Sequence, residues 1–187
     1  MLKTLRKSVV VFLLLFASHA GKAQELTVNT NLLYDATSSM NAGIEFKTGK
    51  NFTFKFPLAY NPWEFEDNRK VKFILAQPEF RWWMCEPFYG HFFGLHAHGA
   101  YYNVGATGTN YMKDYRFEGY LYGAGITYGY QFYLAPRWNL EASVGAGYAL
   151  LKYDQYECQN CGKRVMSGNK AYLGPTQIGI SLIYIIK

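Results

Sequence analysis

The sequence has 187 residues, a formal net charge of +6, 19 % aromatic residues and only three cysteines. Three cysteines cannot staple a disulfide scaffold of this size, and nothing beyond the N-terminal leader stays apolar for the ~18 residues of a transmembrane helix. The positive charge makes no case for nucleic acid, because Lys3, Arg6, Lys7 and Lys22 lie in that leader and without them the chain carries about +2.

The leader has the three parts of a secretory signal. Lys3, Arg6 and Lys7 precede an apolar run from Val9 to Ala17, and Gly21-Lys22-Ala23 forms a small-x-small site. The run is short for a membrane anchor, which needs about 20 residues. Residues 1–23 are therefore expected to be a cleaved signal peptide, and residues 24–187 a single exported domain.

Strands are read from alternation, because side chains on a strand point to opposite faces with a period of two. The first expected strand is Leu26 to Leu33, the second Met40 to Thr48. In the third, Phe52, Phe54, Phe56, Leu58 and Tyr60 alternate with Thr53, Lys55, Pro57 and Ala59. A fourth runs from Lys72 to Met84 and a fifth from Phe92 to Asn103, with His96 and His98 on its polar face. The sixth sets a tyrosine stripe from Tyr120 to Tyr130 against Gly119, Gly123, Gly125, Thr127 and Gly129. The seventh carries Trp138, Leu140, Ala142, Val144, Ala146, Tyr148 and Leu150 on one face. The eighth, starting after Tyr172, places Ile178, Ile180, Leu182, Tyr184 and Ile186 opposite Gln177, Gly179 and Ser181.

The connections alternate in length. Short turns at Thr48–Asn51, Cys85–Gly90 and Ala135–Arg137 separate long polar segments at Asn61–Val71, Val104–Arg116 and Tyr153–Ala171. Bacterial outer-membrane barrels have this arrangement, with tight periplasmic turns and larger extracellular loops. The expected fold is all-β, an eight-stranded antiparallel up-and-down transmembrane β-barrel of the bacterial outer membrane. Its partners would be outer-membrane lipid and the barrel assembly machinery. Gln177, Gly179, Leu182 and Tyr184 fill the specified places of a C-terminal barrel-assembly signal.

A soluble lipocalin-like barrel, binding a ligand in the periplasm, is the rival. It would need a charged exterior, yet the non-apolar face holds few charges: Glu45, Lys47, Lys55, Glu79, Arg81 and Glu141 account for most of them. Mixed signs suit a narrow lumen in which acids and bases pair, and eight strands enclose just enough room for side chains. With His96 and His98 these residues form the expected lumen network.

Cys158 and Cys161 form a Cys-x-x-Cys pair in the last long segment. A zinc site wants about four ligands, and no second pair or nearby histidine supplies them. A redox pair wants a helix N-terminus in a βαβ context, which is absent. A local disulfide clamping an exported loop is the preferred reading, and Cys85 reads as a lone thiol. His96-x-His98 could ligate a metal or serve lipid chemistry, but hydrogen-bonded filling of the lumen is the default. Asn61-Pro62-Trp63-Glu64-Phe65-Glu66-Asp67 could bind a ligand, although Tyr60, Trp63 and Phe65 read first as an aromatic girdle.

Several segments carry a family resemblance. Asn31-Leu32-Leu33-Tyr34-Asp35-Ala36-Thr37, Tyr60-Asn61-Pro62-Trp63, Gln77-Pro78-Glu79-Phe80-Arg81-Trp82-Trp83, Arg137-Trp138-Asn139-Leu140-Glu141 and Tyr156-Glu157-Cys158-Gln159-Asn160-Cys161-Gly162 resemble the DUF3575 family of Bacteroidetes. The resemblance implies a small outer-membrane barrel of OmpA/OmpX-type size, often encoded near surface fimbrial genes, and brings no catalytic residues or cofactor. The function expected from it is non-enzymatic, a structural or surface-interaction role in which the outer loops meet a surface or fimbrial protein. A lipid-modifying enzyme is the alternative.

Overall fold

The computed structural model describes residues 25–64, 70–105, 115–157 and 162–186. Nine strands form one antiparallel sheet: β1 (Leu26–Asn31), β2 (Met40–Lys47), β3 (Phe52–Asn61), β4 (Lys70–Ala76), β5 (Glu79–Trp83), β6 (Gly90–Gly105), β7 (Arg116–Ala135), β8 (Trp138–Tyr156) and β9 (Arg164–Ile186). A short helix, α1 (Leu32–Ala36), follows β1. The pairing returns on itself, because β1 lies between β2 and β9, with Leu26 opposite both Phe46 and Ile186. The result is a hydrogen-bonded ring with eight places for nine strands, since β4 and β5 share the place between β3 and β6.

That shared place corrects the single fourth strand expected from Lys72 to Met84. The ladder to β3 stops at Leu58–Ala76 and resumes at Lys55–Glu79. Pro57 stands at the gap and has no N–H to give, and Pro78 faces the same difficulty from the other side. The backbone is satisfied without regular pairing: Gln77 donates to the Pro57 carbonyl at 3.2 Å, and Ala97 to the Pro78 carbonyl at 3.0 Å.

The first strand is also shorter than expected. Leu32 and Leu33 belong to α1, because the Asn31 side chain caps the helix by accepting from the Leu33 N–H at 3.1 Å. The Thr37 hydroxyl closes the other end on the Tyr34 carbonyl at 2.9 Å.

The last two strands are longer than expected. The segment from Tyr153 to Ala171 is not a loop for most of its length. β8 continues to Tyr156, β9 begins at Arg164, and Lys152 pairs with Asn169. Within β9, Gly145 pairs with Gln177 and Ala146 with Pro175, which leaves Thr176 as an extra residue in a bulge. The bulge turns both Thr176 and Gln177 toward the interior, and it is where Pro175 is tolerated inside a strand.

Short turns at 48–51, 84–89 and 136–137 gather at one end of the ring with the start of β1 and the finish of β9. The other end carries α1 and the tall β8–β9 hairpin. Among the described residues no helix is long and apolar enough to cross a membrane.

Candidate functional site

The interior of the ring is layered. At the short-turn end, Trp83, Phe88, Phe92 and Ile183 pack into an apolar plug and are almost fully buried. The Trp83 and Phe92 rings lie 4.9 Å apart. Phe88 reaches the plug from the turn with φ of 67°, a left-handed conformation that costs an ordinary residue about 1–3 kcal/mol. Burial of its ring and a 2.8 Å hydrogen bond from Asn139 Nδ2 to its carbonyl hold it there.

Above the plug sits a belt of charges. Arg81 lies 3.1 Å from Glu45, 2.9 Å from Glu79 and 2.7 Å from Glu141, and all four side chains are buried. Lys55 Nζ donates to Glu141 Oε1 at 3.0 Å. Thr53 donates to Glu45, and Trp83 Nε1 donates to Thr53 Oγ1 at 2.9 Å, which ties the belt to the plug. The Arg81 guanidinium also lies over the Phe92 ring, 4.1 Å from its centroid. Next to Lys55 there is a space of only about 40 Å³, room for a water or two.

His96 forms the next layer. Its Nδ1 lies 2.8 Å from Thr127 Oγ1 and its Nε2 2.9 Å from Thr176 Oγ1. Gln177 accepts from Thr127 at 3.0 Å and donates to Glu79 at 3.3 Å, so polar contacts run unbroken from Trp83 to the bulge. His98 sits one pleat higher, its ring 5.5 Å from that of His96. Gly123 and Gly125 make room for the two imidazoles. A Cβ on Gly123 would stand 2.7 Å from His98 Nε2, and one on Gly125 2.8 Å from His96 Cε1.

Of the residues expected in the interior network, the structure brings together Glu45, Lys55, Glu79, Arg81, His96, His98 and Glu141. Lys47 stands apart at the rim, where it pairs with Glu25 at 3.2 Å and stays partly exposed. In the terminal strand, Gln177 joins the network, Gly179 faces Ser143 and Asn31, and Leu182 and Tyr184 lie on the outward face. Tyr184 packs on Trp138 with ring centroids 4.9 Å apart. Cys158 and Cys161 lie outside the described residues, as do Phe65, Glu66 and Asp67. Cys85 is exposed and free.

His91 points outward, its Nδ1 2.7 Å from the Tyr128 hydroxyl. Trp63 donates to the Ser38 carbonyl at 2.6 Å. Nearby, the Lys72 ammonium hydrogen-bonds Glu64 and holds its carboxyl below the usual range. In α1, burial raises the Tyr34 phenol. Among the described residues no three histidines, cysteines or acids are grouped to hold a metal.

The plug leaves no mark in the alternation of the sequence. Trp83, Phe92 and Ile183 sit on faces otherwise marked polar, so alternation assigns them no role.

A family model described as DUF3575, a protein of unknown function, matches residues 9–186, and the chain belongs to that family. No curated protein and no solved structure matches it.

Proposed function

We propose that this DUF3575 protein is a transmembrane β-barrel of the bacterial outer membrane, non-enzymatic, with a structural or surface-interaction role. The observation that carries this reading is the inversion of the ring. Glu45, Arg81 and Glu141 are fully buried inside, while Leu95, Ile126 and Ile178 are 63 %, 68 % and 68 % exposed outside. Apolar surface of that extent is unfavourable in water by roughly 25 cal/mol per Å² and exceeds what soluble monomers usually show. In a bilayer the same surface needs no further cover, and the ladder between β1 and β9 from Leu26–Ile186 to Asn31–Ser181 closes the sheet on itself at the short-turn end.

The interior argues against a wide pore, because the plug and the charge belt fill the short-turn end. His96 is engaged by Thr127 and Thr176 inside the wall, which favours packing over chemistry on lipid. By analogy with bacterial barrels, the short turns would face the periplasm and the α1 end the outside, where a surface protein would meet it.

Fractionation tests the reading directly. The protein should sediment with outer membranes, require detergent, and change gel mobility on heating. A chain that stays in the soluble periplasm overturns it.

A further inference from the structure

Above His98 the character of the interior changes. Phe73 and Leu75 from β4, Tyr102 from β6, Leu121 from β7 and Leu151 from β8 line an open cavity of about 430 Å³. That is within the range of small-molecule sites, which are mostly apolar with a few placed polar groups. His98 lines the same cavity and is only 6 % exposed, yet its Nδ1 has no hydrogen-bond partner in the protein. A buried imidazole nitrogen without a partner is unfavourable because it has given up water and gained nothing in return, so it is placed to receive one.

A way in exists. A space of about 780 Å³ beneath α1 shares Phe73, Pro175 and Thr176 with the cavity, and is bordered by Asn31, Ser39 and Asn61. The route thus runs along a mostly apolar passage into a chamber where Thr176 and Tyr172 are already hydrogen-bonded and the buried His98 Nδ1 is not.

We infer that the upper interior is a binding site for an elongated apolar molecule with a single uncharged hydrogen-bonding head, in chemical terms a medium-chain fatty alcohol, whose head meets His98. The charge belt selects against an acid. It sets three carboxylates, Glu45, Glu79 and Glu141, against two cations, Lys55 and Arg81. An anionic head placed above that excess would be desolvated and repelled. The alkyl chain would lie along Leu121, Leu151 and Tyr102.

This site is a property of the ring interior, so it stands or falls separately from membrane residence. The test uses the intact chain labelled with ¹⁵N-histidine, in lipid nanodiscs if it fractionates with membranes and in buffer if it does not. It is titrated with 1-dodecanol, dodecane and dodecanoate while the His98 ring resonances are followed. Dodecanol should move them saturably and bind more tightly than dodecanoate. His98→Phe should keep alkane binding and lose the preference for alcohol over alkane, a change of about three- to tenfold. Leu121→Trp, or the milder Ala100→Leu if the first fails to fold, should fill the chamber and remove the saturable response. A response to dodecanol that never saturates, or that survives both filling variants, overturns the site. Tighter binding of dodecanoate overturns the assigned head group.

Discussion

Arg81 and Glu141 meet across the interior through two parallel hydrogen bonds, Nη1 to Oε2 at 2.7 Å and Nη2 to Oε1 at 2.9 Å. The planar fork matches the carboxylate, a geometry that lysine could not reproduce. Its partners come from β5 and β8, so the pair braces opposite walls of the ring.

Arg81→Leu should therefore destabilise by more than the pair contributes. It strands three carboxylates in a buried space with only Lys55 to answer them, and breaking such a pair costs about 3–5 kcal/mol. Glu141→Gln should cost less, because the amide oxygen still accepts from Arg81. Urea unfolding of the refolded protein would rank the two, and equal losses would contradict the account.

Gly125→Val tests the packing of the histidine layer. The new Cβ would stand about 2.5 Å from the Ala146 carbonyl, which is backbone and cannot swing away, as well as 2.8 Å from His96. Overpacking of this kind typically costs about 1–3 kcal/mol. A lowered unfolding midpoint, with loss of the His96 signals of the folded state, is the expected result.

Ile126→Arg separates lipid from water as the surroundings of the outer wall. Ile126 is paired with Leu95 on one side and Ala146 on the other, in the middle of the exposed apolar band. In a bilayer the arginine should cost about 2–4 kcal/mol at the midplane. On a water-facing surface it should change stability by less than about 0.5 kcal/mol. The difference is measurable by folding titrations in liposomes against detergent-free buffer.

Maleimide counting checks the thiols. Without reductant, the denatured chain should take one label, on Cys85, and after reduction three, one for each cysteine in the sequence. Three labels without reductant would remove the Cys158–Cys161 disulfide.

Alternation made most strands legible, because a wall with unlike faces writes a period of two into the sequence. It failed where the faces are alike. Phe73, Leu75, Leu121 and Leu151 are apolar residues on the inner face, and beside apolar outer neighbours they carry no contrast. The β8–β9 hairpin was hidden for the opposite reason, since residues such as Ser167, Asn169 and Lys170 are polar around its tip. The break between β4 and β5 did leave a trace, in the facing prolines Pro57 and Pro78. The charge belt was readable as a set of residues but not as a geometry: nothing in the spacing tells that Lys47 would drop out while Lys55 would reach Glu141.

The pairing of Leu26 with Ile186 joins the first and last described strands. No stretch of the chain short of its final strand can therefore close the ring. A chain without β9 leaves β1 and β8 as open edges, and contacts so distant in sequence are slow to form. Folding of this protein is consequently a whole-chain event, and a partly synthesised or C-terminally trimmed copy is an open, aggregation-prone sheet that has to be kept apart from its neighbours.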